Sequence, residues 1–152
     1  MTEPSAPSAT TEQVTAHSND GVPGDGDKAF FYDSDELRYE TNETYAQMMP
    51  EGQREEFLDC VGRDMLSTTI LLSPTMTVTR VRVGPGAKVS PHRHGTKQIT
   101  YVLSGSLQYG KRVTKAGQGF FSPNKKYTWI AGPEGAEWLE IHDGLPEPYK
   151  LD

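Results

Sequence analysis

Only one cysteine, Cys60, occurs in 152 residues. That excludes an intrachain disulfide framework and a cysteine-cluster zinc site, and it suits a reducing compartment. Positive charge is also short: 15 Lys and Arg stand against 21 Asp and Glu, a formal charge of -6 with a pI near 5.2. Neutralising phosphates needs a basic face, so a general nucleic-acid binder is disfavoured, and no nucleic-acid motif argues otherwise. Long apolar runs are missing as well. No stretch is long enough to span a bilayer, and the first residues have neither the basic start nor the apolar core of a secretory signal. The expectation is a cytoplasmic protein with no membrane partner. Hydrophobic residues make up 34% of the chain. That suffices for one modest core, since a domain of about 150 residues hides roughly 68–70% of its unfolded surface.

Residues 1–28 are rich in Ser, Thr, Pro, Gly, Asp and Glu without an apolar run, which predicts a disordered acidic tail. His17 lies there and is read as solvated. Asn42-Glu43-Thr44 matches a glycosylation sequon, which without an export signal is a chance match. Between residues 29 and 65 the aromatics Phe30, Phe31, Tyr32, Tyr39 and Tyr45 and the pair Met48-Met49 are scattered among acidic residues. Irregularly spaced aromatics bury area before they do chemistry, so this segment is read as an arm packing on the main domain or on a dimer partner. Ser34-Asp35-Glu36 is expected to cap a short helix, and Pro50-Glu51-Gly52 to end whatever precedes it.

From residue 66 to 152 the pattern is one of short strands. Thr68–Leu72 and Met76–Val83 come first, the second alternating with a period of two before Gly84-Pro85-Gly86 turns it. Gln98–Leu103 and Ser106–Tyr109 follow, joined at Ser104-Gly105, then Arg112–Thr114, Gly119–Ser122, Tyr127–Ala131 and Ala136–His142. Many short strands with little helix argue for an all-β antiparallel sandwich or barrel.

One segment carries chemistry. In a strand, His92, His94 and Gln98 share one parity and can converge on a single ion. Imidazole is the commonest nitrogen ligand for divalent transition metals, whereas a neutral amide is a weaker donor than a carboxylate. The alternative is a metal-free pair of exposed histidines, with Gln98 in a structural hydrogen bond.

Residues 86–105 resemble the first motif of the cupin superfamily: Gly86, five residues, His92, one residue, His94, three residues, Gln98, six residues, Gly105, with glutamine where the family has glutamate. The second motif is worn. Gly117 and Pro123 keep their separation, while Lys125 replaces a glycine and Thr128 a histidine. The resemblance implies a double-stranded β-helix, the cupin jelly-roll barrel, here with an N-terminal arm. It also implies a divalent ion (Fe, Mn, Zn, Ni or Cu) bound by His92, His94 and Gln98, and a homodimer. Glutamine at this position is similar to cupin hydroxynitrile lyases and some flavonol-cleaving dioxygenases.

The missing third histidine leaves His142, or Tyr127 as phenolate, to complete the shell. If Leu139 and Ile141 face the core, His142 faces outward. Tyr127 and Glu140 are the catalytic candidates, and Tyr101 and Tyr109 can also transfer protons. Thr100, Phe121 and Trp129 are expected at the wall of a pocket for a small organic molecule of low polarity. Arg80 and Arg82 share a face that can anchor a carboxylate or form salt bridges. Three functions fit: oxidative cleavage of an oxygenated, aromatic or diketone-like molecule by dioxygen, which leads; metal-assisted lyase, cyclase or isomerase chemistry; and ligand binding without catalysis.

Overall fold

The structure, a computed structural model, describes residues 29–147. The tail with His17, and the last five residues of the segment read as barrel, lie outside them. The elements are β1 (Glu40–Thr41), α1 (Asn42–Ala46), α2 (Glu51–Val61), β2 (Leu66–Leu72), β3 (Thr77–Val83), β4 (Lys97–Tyr109), β5 (Arg112–Lys115), β6 (Gly119–Pro123) and β7 (Ile130–His142). All pairings are antiparallel, in the order β1-β2-β3-β7-β4-β5, with β6 on the free edge of the first half of β4. Single bridges from Lys88 to Ile130 and from His92 to Tyr127 draw the long β3–β4 connection across the barrel.

The break expected at Ser104-Gly105 is a bulge. β4 runs through it, and its register against β7 shifts twice, between Val102 and Ser104 and between Gly105 and Leu107. Bulges bend a strand and raise its twist, which lets a 13-residue strand wrap a small barrel. Gly105 has φ +67°, and a Cβ there would come within 2.1 Å of the Gly135 carbonyl oxygen. Gly105→Ala is therefore expected to cost well over about 1 kcal/mol. A denaturation midpoint unchanged from the parent would contradict this account of the bulge.

The arm packs on its own barrel. Thr41 caps α1 through Thr44 N–H at 3.2 Å, and Pro50 stands at the N-cap of α2. Pro50 thus starts a helix instead of ending one, because its fixed φ suits a helix entrance. Ser34-Asp35-Glu36 forms a turn built on Asp33 rather than a helix. Phe57, Leu58, Cys60 and Val61 on α2 join Ala46 in the same core cluster as Val81, Val102, Leu107, Trp129 and Trp138. Cys60 is a buried small apolar group whose thiol is pushed up by burial. Arg80 ion-pairs with Glu137 and reaches Ser34 and, at 3.0 Å, Asp35, while Arg82 lies 4.5 Å over the Tyr39 ring. The arginines thus clasp the arm to β3 and β7.

Candidate metal centre and its cavity

His92 follows the turn at Gly84–Gly86 and is held by reciprocal backbone bonds with Tyr127, both 3.0 Å. Its Nδ1 lies 2.8 Å from the Ser90 carbonyl oxygen, and the Ser90 N–H donates to the Cys60 carbonyl at 2.7 Å. The end of α2 therefore sets the orientation of the first imidazole. His94 is bracketed at two points: its Nδ1 is 2.9 Å from the Glu147 carbonyl oxygen, and the Glu147 N–H donates to the His94 carbonyl at 2.9 Å. A carbonyl oxygen only accepts, so in the neutral form of either ring Nδ1 carries the proton and Nε2 presents a lone pair. Burial lowers the His92 pKa, favouring the neutral ring, with the Ser90 carbonyl opposing.

His142 is buried and faces inward, its Nδ1 2.8 Å from Thr96 Oγ1. The outward orientation expected from Leu139 and Ile141 is corrected. β7 turns Trp138, Glu140 and His142 to the barrel interior, because the interior near the mouth is a polar site rather than an apolar core. The His94 ring lies 4.9 Å from His92 and 5.2 Å from His142, edge-on to both.

Gln98 is the cross-strand neighbour of His142 and is buried beside it. Its amide nitrogen donates to Thr100 Oγ1 at 3.2 Å and to the Tyr127 phenol at 2.9 Å, and that phenol donates to the amide oxygen at 3.1 Å. Burial, reinforced by the Glu140 charge, pushes the Tyr127 phenol well above its ordinary value. In this arrangement the Tyr127 phenol is neutral and locks the Gln98 amide. Thr128 directs its hydroxyl at the Val89 carbonyl and away from the imidazoles.

The other candidates are dispersed. Trp129 packs edge-on against Trp138 at 5.1 Å in the core, and Phe121 is 57% exposed on the outer face of the sheet. Neither walls the cavity described below; Phe121 lines a second cleft of about 480 Å³ with Gln98 and His142, and Thr100 accepts from Gln98. Tyr101, on the opposite parity to Gln98, points outward with Ile99 and Leu103. Tyr109 stacks on Phe120 at 4.6 Å, and burial raises its phenol far above the ordinary value.

Glu140 accepts from the Trp138 indole N–H at 3.1 Å, and its other oxygen lies 3.6 Å from His142 Nε2. Burial alone would raise its pKa. The His142 hydrogen bond, the His94 and His142 charges and the indole N–H outweigh burial and hold it below the usual carboxylate range. Glu140, His94 and His142 form one end of a cavity of about 560 Å³ between the barrel mouth and the arm. Tyr45, Met48 and Met49 roof it, and Thr77, Thr79 and Val81 of β3 line its floor. This wall was missed in the sequence, because it depends on where α1 and α2 dock.

Among the described residues no three His, Cys, Asp or Glu side chains are already gathered as a metal cage. His142 Nε2 faces Glu140 instead of converging with the other two rings. The donor set still fits a borderline divalent ion: two imidazoles with carbonyl-bound Nδ1, a third beside them, and an amide on the neighbouring strand.

No family model matches the sequence, and no curated protein matches it. Solved structures do match the fold. KdgF from Halomonas sp. superposes with a TM-score of 0.58 at 17% identity, over 77% of this chain and 94% of that one. An RmlC-like cupin from Shewanella frigidimarina gives 0.54 at 16%, over 77% and 92%. The polyketide cyclase RemF from Streptomyces resistomycificus gives 0.50 at 19%, over 57% and 69%. The chain therefore has the cupin fold that residues 86–105 led one to expect. No helix among the described residues is long and apolar enough to cross a membrane.

Proposed function

We propose that this cupin barrel is an enzyme that holds one divalent ion with His92, His94 and His142, Gln98 standing beside them, and rearranges a small oxygenated organic molecule without consuming dioxygen. The observation that carries this reading is Glu140: an ionised carboxylate set in the cavity wall beside two of the imidazoles. The likeness in fold to a polyketide cyclase supports the same class of lyase, cyclase or isomerase chemistry.

A divalent ion, when bound, supplies Lewis acidity to a substrate carbonyl or phenol oxygen. Glu140 then accepts the proton from the adjacent C–H: that bond breaks, its electron pair moves toward the carbonyl oxygen, and the proton rests on the carboxylate. So strongly held a carboxylate is a weak base, and it suits only a C–H acid already strengthened by polarisation. Trp138 fixes one of its oxygens, and Tyr127 and Thr100 fix Gln98. The arm roofs one side of the cavity. A homodimer is part of the same proposal, with Phe31 and Tyr32 exposed at the start of the arm.

Oxidative cleavage by dioxygen is the second reading, favoured by glutamine in the third motif position. An oxygen electrode combined with product mass spectrometry on a panel of aryl diketones separates the two. Conversion at constant oxygen, lowered by about 10²–10⁴-fold in Glu140→Gln, is expected. Stoichiometric oxygen uptake, with two oxygen atoms gained by the product, would overturn the non-oxidative reading.

A further inference from the structure

We propose that Glu147 is a positioning residue for His94, directing the imidazole through its main-chain N–H and C=O, and that the segment from Asp143 to Glu147 is a strap belonging to the metal centre. This rests on the reading of His94 as a ligand under the proposed function, whereas the clamp exists in the chain with or without an ion.

The three rings are fixed in different ways. His92 is served by Ser90, two residues away in its own loop, at 2.8 Å. The Nδ1 of His142 meets a hydroxyl, Thr96 Oγ1 at 2.8 Å, which both donates and accepts and so leaves the tautomer open. His94 instead meets a main-chain carbonyl 53 residues away, beyond the last strand, at 2.9 Å. The return bond from the Glu147 N–H to the His94 carbonyl, also 2.9 Å, closes a cycle of two hydrogen bonds between one pair of residues. One bond fixes the edge of the imidazole and the other fixes the backbone that carries it, so the ring cannot turn without giving up the first. His94 is also the middle ring, 4.9 Å from His92 and 5.2 Å from His142, and its direction decides whether the three can share an ion.

The strap is anchored just after β7. The Asp143 N–H donates to the Lys97 carbonyl at 3.2 Å, its carboxylate accepts from the Lys97 N–H at 2.9 Å, and Thr77 Oγ1 donates to the Gly144 carbonyl at 2.7 Å. Only Leu145 and Pro146 separate these anchors from Glu147. Pro146 fixes one φ of that short span, and Pro148, next in the sequence, restricts Glu147 to extended backbone, so little freedom is lost when both groups of Glu147 engage. The contact between His94 and Glu147 is open to solvent, which makes this preset backbone, rather than burial, the means of holding it. Pro146 and Glu147 line the cavity together with His94, so the element that aims the ring is also part of the wall.

The test uses the full chain carrying Glu147→Pro, which removes the N–H, or Glu147→Gln, which keeps both main-chain groups. Nitrogen–proton correlation spectra of the metal-free proteins, at mildly alkaline pH, read which nitrogen of His94 carries the proton. The parent and Glu147→Gln are expected to show the Nδ1–H form, and Glu147→Pro a mixture with the Nε2–H form. Zinc affinity, read by chelator competition, is expected to fall about 10–100-fold in Glu147→Pro and to stay within about threefold of the parent in Glu147→Gln. A strap that only stabilised the barrel would lower the melting temperature and leave the tautomer alone. Pro146→Gly, which frees the backbone carrying both groups, is expected to move tautomer and affinity in the same directions by less, and it decides the matter if Glu147→Pro does not fold. A parent ring in the Nε2–H form, a tautomer or a zinc affinity unmoved by the strap variants, or an equal loss in Glu147→Gln overturns the proposal. A parent that binds no zinc counts against the proposed metal centre, and the tautomer comparison then decides alone whether Glu147 positions His94.

Discussion

Chain carrying His92→Ala together with His94→Ala is expected to come off a column with no divalent metal, while the parent carries it. Each ring is held by a carbonyl on Nδ1, from Ser90 and Glu147, so each offers its Nε2 lone pair without a change of tautomer. Losing a partner that merely orients a ligand costs metal affinity about 10–100-fold, and removing two ligands outright must cost more. Elemental analysis of both proteins, prepared side by side, decides it. Equal metal content would sink the assignment of the centre to these residues. A thermal melt of the variant guards against the trivial explanation, since His92 is buried and its loss leaves the Ser90 carbonyl without that donor.

Trp138→Ala carries the largest expected loss of stability, about 3–5 kcal/mol. Trp138 is among the largest fully buried side chains, stacked edge-on against Trp129, on a strand bonded to neighbours on both sides. Truncation leaves a void that β7 cannot collapse, because β3 and β4 hold its backbone. Trp138→Phe separates packing from polarity. It keeps most of the ring contact but removes the N–H that donates to Glu140, a hydrogen bond to a charged group of about 1.5–3 kcal/mol. Urea titrations of the two variants should show a smaller drop for Phe than for Ala. A loss under about 1 kcal/mol for Ala would mean that the two tryptophans do not anchor the core.

Much of the barrel was legible because strands have a period of two. His92, His94 and Gln98 carry the spacing of a known motif, and Gly105 marks a bend that no other residue fits. Direction was harder. The rule that apolar residues face the core pointed His142 outward, and the structure buries it inside. In a barrel that encloses a polar site, the interior near the mouth takes Gln98, Thr100, Glu140 and His142, and the apolar alternates Ile99, Tyr101 and Ile141 go to the outer face. Alternation reveals that two faces differ, but not which of them encloses the site. Pro50 was ambiguous for a related reason, since proline is compatible both with the end of one helix and the start of the next. The roof of the cavity could not be read locally at all. Tyr45 and Met48 gain their position only when Phe57 and Val61 dock α2 on the barrel.

The placement of β7 between β3 and β4 sets the order in which this molecule can assemble. β1, β2 and β3 form one meander from neighbouring stretches of chain, and β5 and β6 both pair with β4 in a second group. Neither needs the other until β7, the last strand, slides between them and closes both ladders. That long-range step is the slow kind, and before it each half shows a bare strand edge on which other chains can nucleate. Glu140 and His142 arrive on that same strand. No half-assembled form can therefore carry the whole of the proposed centre, which would be completed only with the fold.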